Sequence, residues 1–163
     1  MSAHLPNSIL ATPTQFGRDS EAVRSLSIRT CGYFIAAPIR LSYLLTLPEY
    51  VETWLAAPDV DEVRCTGNPT IGEPLCIQLH YNRRIKARIF ADYISIQPCD
   101  LQIRWHVRSR THSSFSNICI ALRTVRSNTV LRICHIGFSD QRDLQWHQEL
   151  WDMSLPKMKL LVR

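Results

Sequence analysis

Two histidines in the last third of the chain are the residues best suited to proton chemistry near neutral pH, where imidazole changes charge without needing a perturbed environment. His135 shares the parity of Thr129, Leu131 and Ile133 in an alternating run. His147 falls on the stripe Leu144, His147, Trp151, Leu155, Met158 and Val162, whose three- and four-residue steps are those of one helical face. Both side chains are therefore expected to point into one interior volume, where the pair could polarise a carbonyl or act as acid and base. The alternative is two core histidines, each satisfied by one hydrogen bond. Asp92, Tyr93, Arg104 and His106 are further polar candidates.

Other chemistries find little footing. His106 and His112 flank a turn, but no Cys/His cluster has ligand spacing, so no metal and no cofactor is expected. The six cysteines form no CxxC pair and sit in strand-like patterns, which reads as a reduced, intracellular set of small apolar side chains. No GxSxG, GxxxxGK or GxGxxG run occurs, which disfavours covalent hydrolase and nucleotide-dependent activity.

The elements that must position the histidines follow from periodicity. Ser116 to Arg126 and Thr129 to Gly137 alternate and predict a hairpin turning at Ser127-Asn128, with Ile120 opposite His135 and Leu122 opposite Ile133. That register sets Arg123 against Arg132, an unfavourable pair. After Gly137-Phe138 the strand hands over to a long helix, with Ser139 as N-cap and Asp140 and Asp143 near its positive end. Pro156 should kink or end its regular bonding after Trp151 to Met153. Upstream, Ser27 to Ala37 reads as a strand, and Ile39 to Leu47 and Glu49 to Leu55 as two short helices punctuated by Pro38, Pro48 and Pro58. Strands follow over Glu62 to Thr66, Pro74 to Tyr81, Arg84 to Gln97 with a bulge near Tyr93, and Leu101 to Val107. The fold class is α+β, with six to seven antiparallel strands curved round a carboxy-terminal helix.

At 163 residues and 45% hydrophobic, the chain suits one domain over residues 27–163, preceded by a flexible arm over residues 1–26. The formal charge is +5, but no run of basic residues interleaved with aromatics appears, so nucleic acid is not an expected partner. Without an apolar span or an export signal, a cytoplasmic protein with no membrane insertion is expected. It would be a monomer, or a homodimer paired through edge strands.

Four stretches carry a family resemblance: Leu45-Thr46-Leu47-Pro48-Glu49 with Trp54, Ile94 to Trp105, Thr129 to Phe138, and His147 with Trp151. Together they resemble the helix-grip (SRPBCC, START-like) superfamily. Within it the chain is most similar to the domain at the C-terminus of the activator of heat shock protein 90 ATPase. It departs from that domain in having Leu150, where glycine often precedes the helical tryptophan, and in lacking paired glycines before the middle strands. The resemblance implies an apolar pocket between sheet and helix that binds a small hydrophobic or amphipathic ligand. Its expected lining is Leu101, Ile103, Trp105, Ile118, Ile120, Leu122, Leu131, Ile133, His135, His147, Trp151 and Leu155, closed at one end by Leu45 and Trp54. The alternatives are a cofactor-free cyclase, isomerase or dehydratase using His135 and His147, and a regulator that binds a chaperone or other protein.

Overall fold

Alternating apolar and polar residues form seven strands and three-to-four-residue spacing forms three helices in the computed structural model, which describes residues 26–162. The arm expected over residues 1–26 lies, but for Leu26, outside the described residues. In chain order the elements are β1 (Ser27–Phe34), α1 (Pro38–Thr46), α2 (Pro48–Trp54), β2 (Glu62–Thr66), β3 (Leu75–Tyr81), β4 (Arg84–Gln97), β5 (Asp100–Ser109), β6 (Ser113–Val125), β7 (Asn128–Ile136) and α3 (Gln141–Leu160). The strands make one antiparallel sheet in the order β1-β7-β6-β5-β4-β3-β2. This is the helix-grip arrangement, with α3 packed on the inner face.

Pro38 and Pro48 each start a short helix, where a missing backbone donor costs nothing. One hydrogen bond then ties α2 to α1, and two long-range ones fasten the V to the sheet. The Trp54 indole donates to the Leu44 carbonyl at 2.6 Å, the Tyr93 hydroxyl to the Leu45 carbonyl at 2.8 Å and Thr129 to the Ala36 carbonyl at 2.6 Å.

The β6–β7 hairpin corrects the expected register. The turn is Arg126-Ser127, so Val125 pairs with Asn128, Ile118 with His135, Ile120 with Ile133 and Leu122 with Leu131. Arg126 accepts a left-handed φ of 58° at the turn. The observed register removes the like-charge pair, since Arg123 faces Val130 instead of Arg132; through the β5–β6 pairing its guanidinium reaches Asp100 at 3.1 Å. Inward parity survives because the register moved by two positions. The bulge expected near Tyr93 lies between Tyr93 and Ser95 and turns Ile94 outward.

α3 also differs from expectation. Its N-cap is Asp140, which accepts from the Asp143 amide at 2.8 Å, while Ser139 donates instead to the Asp143 carboxylate. The helix runs through Pro156 to Leu160. Pro156 lies on the exposed side, where water can satisfy the carbonyl its ring leaves without a donor. Leu150 is fully buried and fills interior space.

The handover from β7 to α3 rests on Gly137, whose φ is 90°. An added Cβ would meet nothing nearer than 3.6 Å, so backbone strain alone opposes a side chain there. Gly137→Ala should lower the unfolding free energy by about 1 to 3 kcal/mol in urea titration. An unchanged midpoint would show that this turn tolerates a different backbone conformation.

Candidate functional site

The structure brings His135 and His147 together, their ring centroids 4.8 Å apart and edge to face. Both are fully buried. The hydrogen bonds of His135 fix its tautomer. The Trp151 indole N–H can only donate and lies 3.1 Å from Nδ1, so Nδ1 is bare and Nε2 carries the proton. Nε2–H donates to Ser116 Oγ at 2.7 Å, and that hydroxyl donates onward to the Trp105 carbonyl at 3.5 Å. One directed chain thus runs from α3 through β7 and β6 to β5. With both nitrogens engaged, the ring has no lone pair to offer a substrate. Burial, and secondarily His147, pushes its pKa down to about 2.

His147 is held differently. Its Nδ1–H donates to the Asp143 carbonyl one turn earlier, at 2.8 Å, leaving Nε2 as a bare acceptor without a hydrogen-bond partner among the described residues. The rings of His135, Phe138 and Trp146 surround it at centroid distances of 4.8, 5.0 and 4.8 Å. Burial lowers its pKa, and the neighbouring Asp143 opposes that shift. The Asp143 carboxylate is itself buried, accepting from Ser114 Oγ at 3.1 Å and from the amide and hydroxyl of Ser139 at 3.3 Å. His112 Nε2 stands 3.7 Å from the same carboxylate, beyond hydrogen-bonding reach.

Every residue expected to line a pocket (Trp54, Leu101, Ile103, Trp105, Ile118, Ile120, Leu122, Leu131, Ile133, His135, His147 and Trp151) is buried in the interior. The void there measures about 20 Å³, room for about one water. Trp54, Ile103, Trp105, Ile118, Ile120 and Trp151 border it, and neither histidine does. The Trp54 and Trp151 rings, stacked at 6.4 Å, occupy the middle of the interior.

Space of ligand size lies at one end of the grip instead. A cleft of about 730 Å³ opens between the first turns of α3 and the inner ends of β3, β4 and β5, with the α2–β2 and β5–β6 connections as walls. Leu79, Ala87, Val107 and Trp146 give it an apolar floor, and Lys86, Arg110, Arg142 and His112 a basic rim. Sequence reasoning missed these residues. Val107 carries the signal that was available: it is the smallest member of the inward run Leu101, Ile103, Trp105 and Val107, whereas Ala87 shares its β4 run with a second alanine, Ala91, in the filled interior. Among the described residues no group of three His, Cys, Asp or Glu side chains is placed to hold a metal.

The histidine pair makes stability depend on pH. Both folded-state pKa values lie below the unfolded value of about 6.5. The stabilisation from neutral imidazoles is therefore complete above that pH and lost as pH falls. Urea unfolding should show free energy dropping below about pH 6.5 by up to about 1.4 kcal/mol per pH unit for each histidine. His135→Leu should remove one proton's worth of that slope, with His147→Leu as the parallel variant. An unchanged slope in both would show that neither ring is held neutral.

No protein-family model matches the chain, and no curated protein does. Solved structures do. A protein from Chromobacterium violaceum superimposes with a TM-score of 0.71 at 18% identity, over 83% of this chain and 96% of that one. A protein from Mycobacterium smegmatis gives 0.69 at 10% identity, over 85% and 91%. The Aha1 dimer from Colwellia psychrerythraea gives 0.60 at 17% identity, over 83% and 95%. No helix among the described residues is long and apolar enough to cross a membrane. At these identities the likeness speaks to architecture, and the chain has the helix-grip fold.

Proposed function

We propose that the protein binds a small amphipathic molecule, an apolar body ending in an anionic group, in the cleft between the sheet and the first two turns of α3. The observation that carries this reading is the cleft's place: of three spaces of about 710, 730 and 640 Å³ among the described residues it is the one lined by both sheet and helix, and its volume falls within the roughly 300 to 1,000 Å³ usual for small-molecule sites. Its acids already have partners: Asp59 stands 4.0 Å from Lys86 at the exposed rim. Asp140 caps α3, and Asp143 is held by Ser114 and Ser139. Arg110 and Arg142 have no ion-pair partner among the described residues, which favours an anionic headgroup at the rim.

The expected lining residues of the interior include none that line this cleft. Admitting a guest among them would require α3 to move outward and break the Trp151–His135 bond. Acid–base catalysis by His135 and His147 has less support, because both rings are buried and border neither the void nor the cleft. The chaperone-regulator reading rests on the sequence resemblance and on the likeness to the Aha1 dimer, and that likeness concerns the fold.

Titration with decanoate, followed by amide chemical shifts, tests the proposal. Saturable binding is expected, with shifts confined to cleft residues and weaker binding of decylamine. Ala87→Phe, which fills the floor, and Arg110→Glu with Arg142→Glu should each weaken binding about tenfold or more. Ile120→Val in the interior should change it less than about twofold. Absence of saturable binding, or loss of affinity only in Ile120→Val, would overturn the cleft assignment.

A further inference from the structure

The outer face of the sheet carries a second constellation. β4, β5 and β6 bring Phe90, His106 and Phe115 directly opposite one another in a single row. His106 and Phe115 are stacked, their ring centroids 3.8 Å apart and the planes within 15° of parallel. Phe90 lies 5.9 Å from His106. Phe115 remains 69% exposed, so the column ends in an aromatic ring open to solvent.

Beside this row runs a basic one. Arg88 stands directly opposite Arg108, both exposed and neither with an acidic partner among the described residues. Like charges facing each other across a strand pair repel, and nothing local offsets them here. Arg104, on the other flank of the aromatics, is by contrast paired with Asp92 at 3.0 Å. A groove of about 640 Å³ borders Arg88, Phe90, Arg108 and Arg110. The two rows are two residues apart along each strand, about 7 Å, which is on the scale of the separation of a base from its own phosphate.

The linear order of residues argues against nucleic acid, but strand register assembles the basic and aromatic rows that it lacks, and we infer that this outer face binds single-stranded nucleic acid, with Arg88 and Arg108 on the phosphates and a base stacked on Phe115. Unpaired cations call for an anion, and a stacked column with an open end calls for a flat ring. A single strand supplies both at every repeat, whereas an acidic peptide supplies a ring only where an aromatic residue happens to fall. A duplex hides its base faces and cannot use the column. The groove meets the cleft at Lys86, Ala87, Ser109 and Arg110, which border both, whereas Arg88, Arg108 and Phe115, on which the inference rests, do not line the cleft.

Fluorescence anisotropy with a labelled mixed-sequence DNA strand of about 12 nucleotides tests it. Binding is expected at about 50 mM salt and should weaken as salt rises. Arg88→Gln with Arg108→Gln should lower affinity and reduce the slope of log affinity against log salt by about 1.4, two phosphates' worth. Phe115→Ala should lower affinity about 5- to 100-fold with the slope unchanged. The same sequence as a duplex should bind more weakly than the single strand. Thermal melting of each variant confirms that these exposed substitutions leave the fold intact. No binding at about 100 µM protein would overturn the inference. So would arginine variants that bind like the parent, or a Phe115→Ala variant with unaltered affinity.

Discussion

One chain of hydrogen bonds governs how this molecule closes. The Trp151 indole, His135, Ser116 and the Trp105 carbonyl are linked in a single direction, and each donor and acceptor is used once along it. A buried imidazole is costly unless its polar atoms are satisfied, so this link admits one rotation of α3 about its axis. That rotation sets Trp151 against Trp54, and Trp54 in turn holds the end of α1 through the Leu44 carbonyl. Ser154, on the same side of α3, exchanges two hydrogen bonds with Ala56 and fastens the chain beyond α2. Helix, sheet and V are thereby placed by the same few side chains.

The solid middle and open end of the grip follow from side-chain volume. Where α3 presents Leu150, Trp151 and Leu155, the sheet answers with Trp105, Ile118, Ile120 and Ile133, and the facing surfaces fill. Toward the β5–β6 turn the inner face offers Ala87 and Val107, and the helix offers its first, polar turn, with Asp143 engaged by Ser114 and Ser139. Too little apolar bulk is available there for the two layers to meet. The cleft is therefore the region where close packing stops, and its walls are built from backbone that the capped helix end keeps in place.

Much of this was legible in the sequence. The order of elements, the inward parity of β5, β6 and β7, the bulge near Tyr93 and the helical stripe through His147 and Trp151 all follow from period and punctuation. The hairpin turn was misplaced because Ser127-Asn128 looks more turn-like than Arg126-Ser127, and the ion pair from Arg123 to Asp100 on β5 was not visible locally. Pro156 could not be weighed without knowing that it faces water. The meeting of His135 and His147 was foreseeable from their stripes, but the tautomer-fixing role of Trp151 and Ser116 depends on three-dimensional distances. The aromatic row of the outer face was invisible for a related reason: its members lie on three strands, and only register aligns Phe90, His106 and Phe115.

The strand order has a consequence for biogenesis. Among the described residues β1 is the first strand, yet its neighbour is β7, the last, so Ser27 pairs with Ile136 across nearly all of them. During synthesis the amino-terminal strand emerges long before its mate exists, and it must wait with its apolar side unsheltered until the ribosome has released the carboxy-terminal hairpin. Closing so long a loop is entropically slow. Transient protection of that early segment is thus a demand imposed by topology itself.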